Sequence, residues 1–235
     1  MAIKTLILLS EVRSGSTYAA ELIGYNCAAT LGRELWNLAL EPLQVLKPEM
    51  SAADALDVFA TIPVDQHGLR VFGLKCGQLS KLLSIMREEH DFLANLFGPE
   101  TAWLIVRRRD KIRQAISLNC AICKDLYHSY EDLPECDPCI GGHCGIQKAL
   151  EMINISDIYL DIIKDRISKI QEFFYEEIIE DPRKFLNSFL AFAFDAGPIF
   201  GAETPVHPPK IRRNFTVQKQ YFYETFPDFL LNSYF

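Results

Sequence analysis

The sequence has no excess of basic charge, and this excludes one class of function at once. Its 24 lysines and arginines are outnumbered by 31 aspartates and glutamates, a net charge of −7. General nucleic-acid binding needs a basic face, so any basic character here must be local, in a pocket for a small anion. A long apolar run is also missing. The stretch from Ile3 to Leu9 is about seven residues, whereas a membrane-spanning helix needs ~20 and a secretory signal needs a cleavage site as well. The reading therefore predicts no transmembrane segment, no secretory signal and a cytoplasmic protein. No internal repeat or low-complexity linker divides the 235 residues, which predicts one domain spanning 1–235. Cysteine is not scarce. Seven of them in a cytoplasmic chain read as free thiols or metal ligands before disulfides.

The apolar residues are arranged as alternating strands and helices. Strands are expected at 3–9, 69–75, 102–108 and 171–175. Helical periodicity predicts helices at 16–29, 33–46, 79–97, 110–128 and 146–170, with a short one at 51–60 behind a Ser-x-x-Asp capping box. Pro182 suits the first turn of a further helix, where a missing N–H costs nothing. Such alternation implies an α/β fold: a central, mostly parallel sheet flanked by helices, with ligands beyond the carboxyl ends of its strands.

Between the first strand and its helix lies Arg13-Ser14-Gly15-Ser16-Thr17. Unpaired N–H groups at a helix start favour anions. Gly15 permits close backbone approach, and Arg13, Ser14, Ser16 and Thr17 add donors. An ATP-binding loop reads G-x-x-x-x-G-K-[ST]; here its first glycine and its lysine are both absent. A tight turn with a helix cap is the plainer alternative. A second basic site follows the third strand, where Arg107, Arg108, Arg109, Lys111 and Arg113 crowd seven positions. Cations at a helix start oppose its dipole, so an anion held by both Arg109 and Ser117 would relieve this cluster; a solvated basic helix start is the plainer alternative. Lys75 ends the second strand, placed either to touch a ligand or to reach water.

These two motifs together resemble the sulfotransferases, and most closely the bacterial trehalose-type and lipopolysaccharide-type groups. "RSGSTYAAELI" is similar to their 5′-phosphosulfate loop and "RRDKIRQAISL" to their 3′-phosphate motif, with Arg109-Asp110 and Gln114-Ala115-Ile116-Ser117 in place. "RVFGLK", "FFYEEIIEDPRKFLNSFLAF" and "PPKIRRNF" resemble further segments of that family. The likeness covers most of the chain, but only the two phosphate motifs are specific. Val12 stands where proline is usual, "RRNF" departs from the family's Arg-Gln pair, and the Cys-rich stretch is an insertion.

The resemblance implies a three-layer, P-loop-NTPase-like fold. It also implies transfer of a sulfuryl group from 3′-phosphoadenosine 5′-phosphosulfate to a carbohydrate or glycolipid hydroxyl, leaving adenosine 3′,5′-bisphosphate. Arg13 and the loop would hold the 5′-phosphosulfate, Arg109 and Ser117 the 3′-phosphate, and Arg212 or Arg213 would fold over the nucleotide. Glu34 would be the general base, with Glu41 behind it, and Lys75 would assist. No metal is needed for this chemistry, and a homodimer is implied. A P-loop-like nucleotide kinase is the alternative enzyme, opposed by the missing lysine and by the lack of a clear acidic magnesium ligand. An inactive sulfotransferase-fold binding protein with a structural zinc is the third reading.

The zinc would sit in the Cys-rich insertion at about 120–145. Cys120, Cys123, Cys136, Cys139, His143 and Cys144 contain two C-x2-C pairs 12 residues apart, a spacing compatible with a closed structural site. Buried thiols or a disulfide would use the same residues. Cys27 and Cys76 stand apart and read as core thiols.

Overall fold

The computed structural model describes residues 3–31, 68–76, 98–124, 142–165 and 167–209, with a few single positions between 54 and 64. Four strands, β1 (Thr5–Ser10), β2 (Arg70–Lys75), β3 (Thr101–Arg107) and β4 (Ile170–Phe174), form a sheet in the order β2-β1-β3-β4. Every pairing is parallel. Strands in a parallel sheet are covered on both faces and read as continuous apolar runs; "LILL" and "AWLIV" are such runs, and every residue in them is buried.

Helix α1 (Ser16–Leu31) and a C-terminal pair, α4 (Tyr175–Glu180) and α5 (Pro182–Phe194), cover one face. There Leu6, Leu8, Val71, Leu104 and Val106 meet Leu22, Ile23 and Cys27 of α1 and Phe185, Phe189 and Leu190 of α5. Helix α3 (Gly142–Lys164) covers the other face, where Leu160 and Ile163 pack on Ile7, Leu9, Phe72, Leu74, Trp103 and Ile105. Helix α2 (Lys111–Lys124) packs along α3 through Ile112, Ile116, Ile146 and Ile153, with Val12 against the same cluster. Cys27 and Cys76 are buried in the core, as their isolation suggested.

Local signals account for most boundaries. Asp181 caps α5 by accepting from Lys184 N at 3.0 Å, with Pro182 in the first turn. Asp110 likewise accepts from Arg113 N at 2.8 Å at the start of α2. One expectation is corrected. The helical pattern over 146–170 runs too far: α3 begins at Gly142 and ends at Lys164, and Ile170 already pairs with Trp103 in the sheet. Ile163, Ile167 and Ile170 keep a helix-like spacing, but Ile167 N donates to Lys164 O at 3.3 Å and closes the last turn. The expected helices at 33–46 and 79–97 lie outside the described residues, and the one at 51–60 almost wholly so.

The register matters most for function. Ser10 is level with Lys75 on one side and Val106 on the other. The chain goes from β1 to β2 on one flank and returns to β3 on the other. The carboxyl edge of β1 is thus the topological switch point, where ligands of open α/β sheets bind.

Candidate functional site

The turn after β1 is held in a shape that few sequences adopt. Arg13 has φ 58° and Gly15 φ 89°, both in the left-handed region, a conformation that costs a non-glycine residue of order 1–3 kcal/mol and persists only when its surroundings impose it. Those surroundings are visible. Ser14 Oγ donates to Glu11 O at 3.0 Å, and Gln114 Nε2 on α2 donates to Val12 O at 2.8 Å. Arg13 Nε donates to Ser117 Oγ, one turn further along α2, at 3.1 Å. Gly15 lies under the ring of Tyr175, the first residue of α4. Tyr18 meets the same ring edge-on, at 5.9 Å between centroids.

Lys75 reaches into this turn from the neighbouring strand. Its Nζ donates to Ser10 Oγ at 3.0 Å, to Glu11 O at 3.4 Å and to Ser16 Oγ at 2.5 Å. Burial, with Arg13 nearby, lowers its pKa to about 8 against the opposing pull of Cys76 and Glu11, so it still carries charge at neutral pH. The first turn of α1, whose N–H groups have no intrahelical acceptor, thus lies beside one ammonium and one guanidinium. Fixed donors and two cations at a helix N-terminus have the chemistry to suit a phosphate-type anion.

The basic run after β3 is met by carboxylates of the fold. Arg107 meets Asp157 at 2.5 Å, Asp161 at 2.7 Å and Glu172 at 3.2 Å. Burial opposes its charge, but Asp161 and Asp157 outweigh that and hold the guanidinium above its ordinary range. Lys111 bridges Glu11 and Asp157, Arg113 meets Asp110 at 3.1 Å, and Arg109 pairs with Glu177 while lying over the Phe174 ring. Arg108 is held more loosely. Its Nε is buried without a hydrogen-bond partner, 3.8 Å from Glu176, and its guanidinium is 5.2 Å from the Tyr175 ring centroid.

Of the residues expected in the site, Arg13, Ser14, Gly15, Ser16, Thr17, Lys75 and Ser117 converge at the carboxyl edge of β1 and β2. Arg109 and Ser117 have different neighbours: Ser117 bonds to Arg13, and Arg109 is half exposed beside Glu177. Arg109 also lines a cleft of about 540 Å³ with Phe173, Glu177, Lys184 and Phe185, on the β4 flank rather than over the turn. Glu34, Glu41, Arg212, Arg213, Cys136 and Cys139 lie outside the described residues. The backbones of Cys120 and Cys123 are in α2, and those of His143 and Cys144 in the first turn of α3. Among the described residues, no cluster of three or more His, Cys, Asp or Glu is placed to hold a metal ion. The sequence reading missed Glu11, Asp157 and the seat of Tyr175 on Gly15. Glu11 had left a signal: an acidic residue directly after a strand whose four central residues are apolar.

No protein-family model matches the chain, and no curated protein matches it in sequence. Among solved structures, it is similar to the crystal structure of a sulfotransferase from Alicyclobacillus acidocaldarius. The TM-score is 0.45 at 12% identity, over 97% of this chain and 93% of that one. Among the described residues, no helix is long and apolar enough to cross a membrane.

Proposed function

We propose that the protein is a sulfotransferase that moves the sulfuryl group of 3′-phosphoadenosine 5′-phosphosulfate to a carbohydrate or glycolipid hydroxyl. The observation that carries this reading is Lys75. The loop has no lysine of its own, and β2 brings one in at its base, opposite Arg13. Two cations and a helix N-terminus suit a 5′-phosphosulfate, and the motif resemblance selects this donor over ATP.

In the proposed reaction the acceptor oxygen attacks sulfur while the bond from sulfur to the bridging phosphate oxygen breaks. The acceptor proton passes to a carboxylate, for which Glu34 is our candidate, and the electron pair stays on the departing 5′-phosphate. A loose transition state of this kind leaves the protein chiefly positioning and charge stabilisation to supply. Lys75 and Arg13 would meet the charge that grows on the bridging and phosphate oxygens. Ser16 and Thr17 would orient them. Arg109 would have to leave Glu177 to reach a 3′-phosphate near Ser117.

Incubation with sulfur-labelled donor and a panel of sugars and glycolipid headgroups tests the proposal. Label is expected in an acceptor, with one equivalent of adenosine 3′,5′-bisphosphate released per label. Tight donor binding without transfer to any member of a broad panel would contradict it.

A further inference from the structure

The phosphate turn rests on a buried carboxylate that the reaction above does not use. Glu11 is the first residue after β1, and its side chain is 0% exposed. Lys111 Nζ donates to both of its oxygens, at 3.0 and 2.9 Å, and Gln114 Nε2 donates to Oε2 at 2.8 Å. The same Gln114 nitrogen holds Val12 O, and Ser117 on the same helix holds Arg13. Lys111 also donates to Asp157 in the middle of α3, at 3.0 Å, and Arg107 Nε donates to Asp157 at 3.0 Å. The carboxyl of Glu11 therefore joins the turn to α2 directly, and to α3 and β3 through Lys111 and Asp157.

The titratable and polar groups facing Glu11 come from three elements: Lys75 and Cys76 from β2, Lys111 and Gln114 from α2, and Asp157 from α3. Burial and the hydrogen bond with Asp157 raise the Glu11 pKa to about 7, against Lys111 and Gln114. Burial also acts on Asp157, but its hydrogen bonds with Glu11 and Lys111 prevail and hold it below the ordinary carboxylate range.

We propose that Glu11 is a positioning residue whose clamped carboxyl fixes the turn, and with it the grip of Arg13 and the α1 N-terminus on a phosphate-type anion. This rests on reading the turn as a phosphate seat, but not on which nucleotide occupies it. Removing the carboxyl takes from Lys111 and Gln114 their shared acceptor and leaves the turn tied to α2 only through Val12 O and Arg13. Gln at position 11 keeps an acceptor for Lys111 while removing the ionisable charge.

The test is titration of the full chain with two probes, inorganic pyrophosphate and adenosine 3′,5′-bisphosphate. Glu11→Ala is expected to weaken both at least tenfold. Glu11→Gln, which keeps one acceptor for Lys111, is expected to recover part of that loss, because the clamp sets the turn. Lys111→Met removes the same contact from the other side and is expected to weaken both probes as well. Wild-type binding by Glu11→Ala, or no recovery in Glu11→Gln, overturns the proposal; if Glu11→Ala does not fold, Lys111→Met takes its place, and wild-type binding by that variant overturns the proposal. Should pyrophosphate bind without any preference for the bisphosphate over AMP, the donor reading fails and the Glu11 test still stands. If the wild type binds neither probe, both fall.

Discussion

Lys75→Met is expected to weaken adenosine 3′,5′-bisphosphate by about 10- to 100-fold while leaving the fold intact. The magnitude follows from hydrogen bonds to charged groups, ~1.5–3 kcal/mol. The fold should survive because methionine fills much of the same space, at a cost of about 1–3 kcal/mol for the acceptors left on Ser10, Glu11 and Ser16. A pH signature accompanies the loss. Burial lowers the pKa of Lys75 to about 8, so its charge is present below pH 8 and is lost as pH rises through that value. Wild-type affinity should decline over that step, and the variant should lack it. Unchanged affinity at neutral pH would remove Lys75 from the anion seat.

Gly15→Ala is expected to damage both stability and binding. Gly15 has φ 89°, and an added Cβ would lie 2.1 Å from Tyr175 Cδ2. Either the Tyr175 ring moves or the turn opens, and the left-handed backbone adds ~1–3 kcal/mol of strain. For a chain of this size each kcal/mol lowers the melting temperature by roughly 2–4 °C, so a fall of several degrees should appear in a thermal scan. Anion binding should fall with it, because Tyr175 and Gly15 define one wall of the turn. Combining Gly15→Ala with Tyr175→Ala removes the collision but not the strain, and should restore only part of the loss. A wild-type melting temperature for the single variant would mean that Tyr175 does not pack on the turn as described.

The strands and the turn were legible because each depends on neighbours in sequence. An apolar run such as "LILL" is buried in any parallel sheet, and Arg13 to Thr17 lie directly between that run and a helix start. Lys75 was visible as a strand-end lysine, but that it turns inward rather than to water follows only from the parallel register that sets it beside Ser10. The partners of the basic run were illegible for the same reason. Its cations were counted, but their partners Glu11, Asp157, Asp161, Glu172, Glu176 and Glu177 come from the turn, from α3, from β4 and from α4. No local pattern announces that Arg107 will meet a helix 50 residues later. Val12 offers a smaller lesson. In place of the rigidity a proline would give, the turn is pinned by Gln114 across 102 residues of sequence.

If the turn holds a phosphate-type anion that belongs to a 3′-phosphorylated nucleotide, calorimetric titration with adenosine 3′,5′-bisphosphate, beside AMP and ATP, should show tight binding of the bisphosphate and much weaker binding of the other two. Equal affinities for all three, or a preference for ATP, would contradict that assignment.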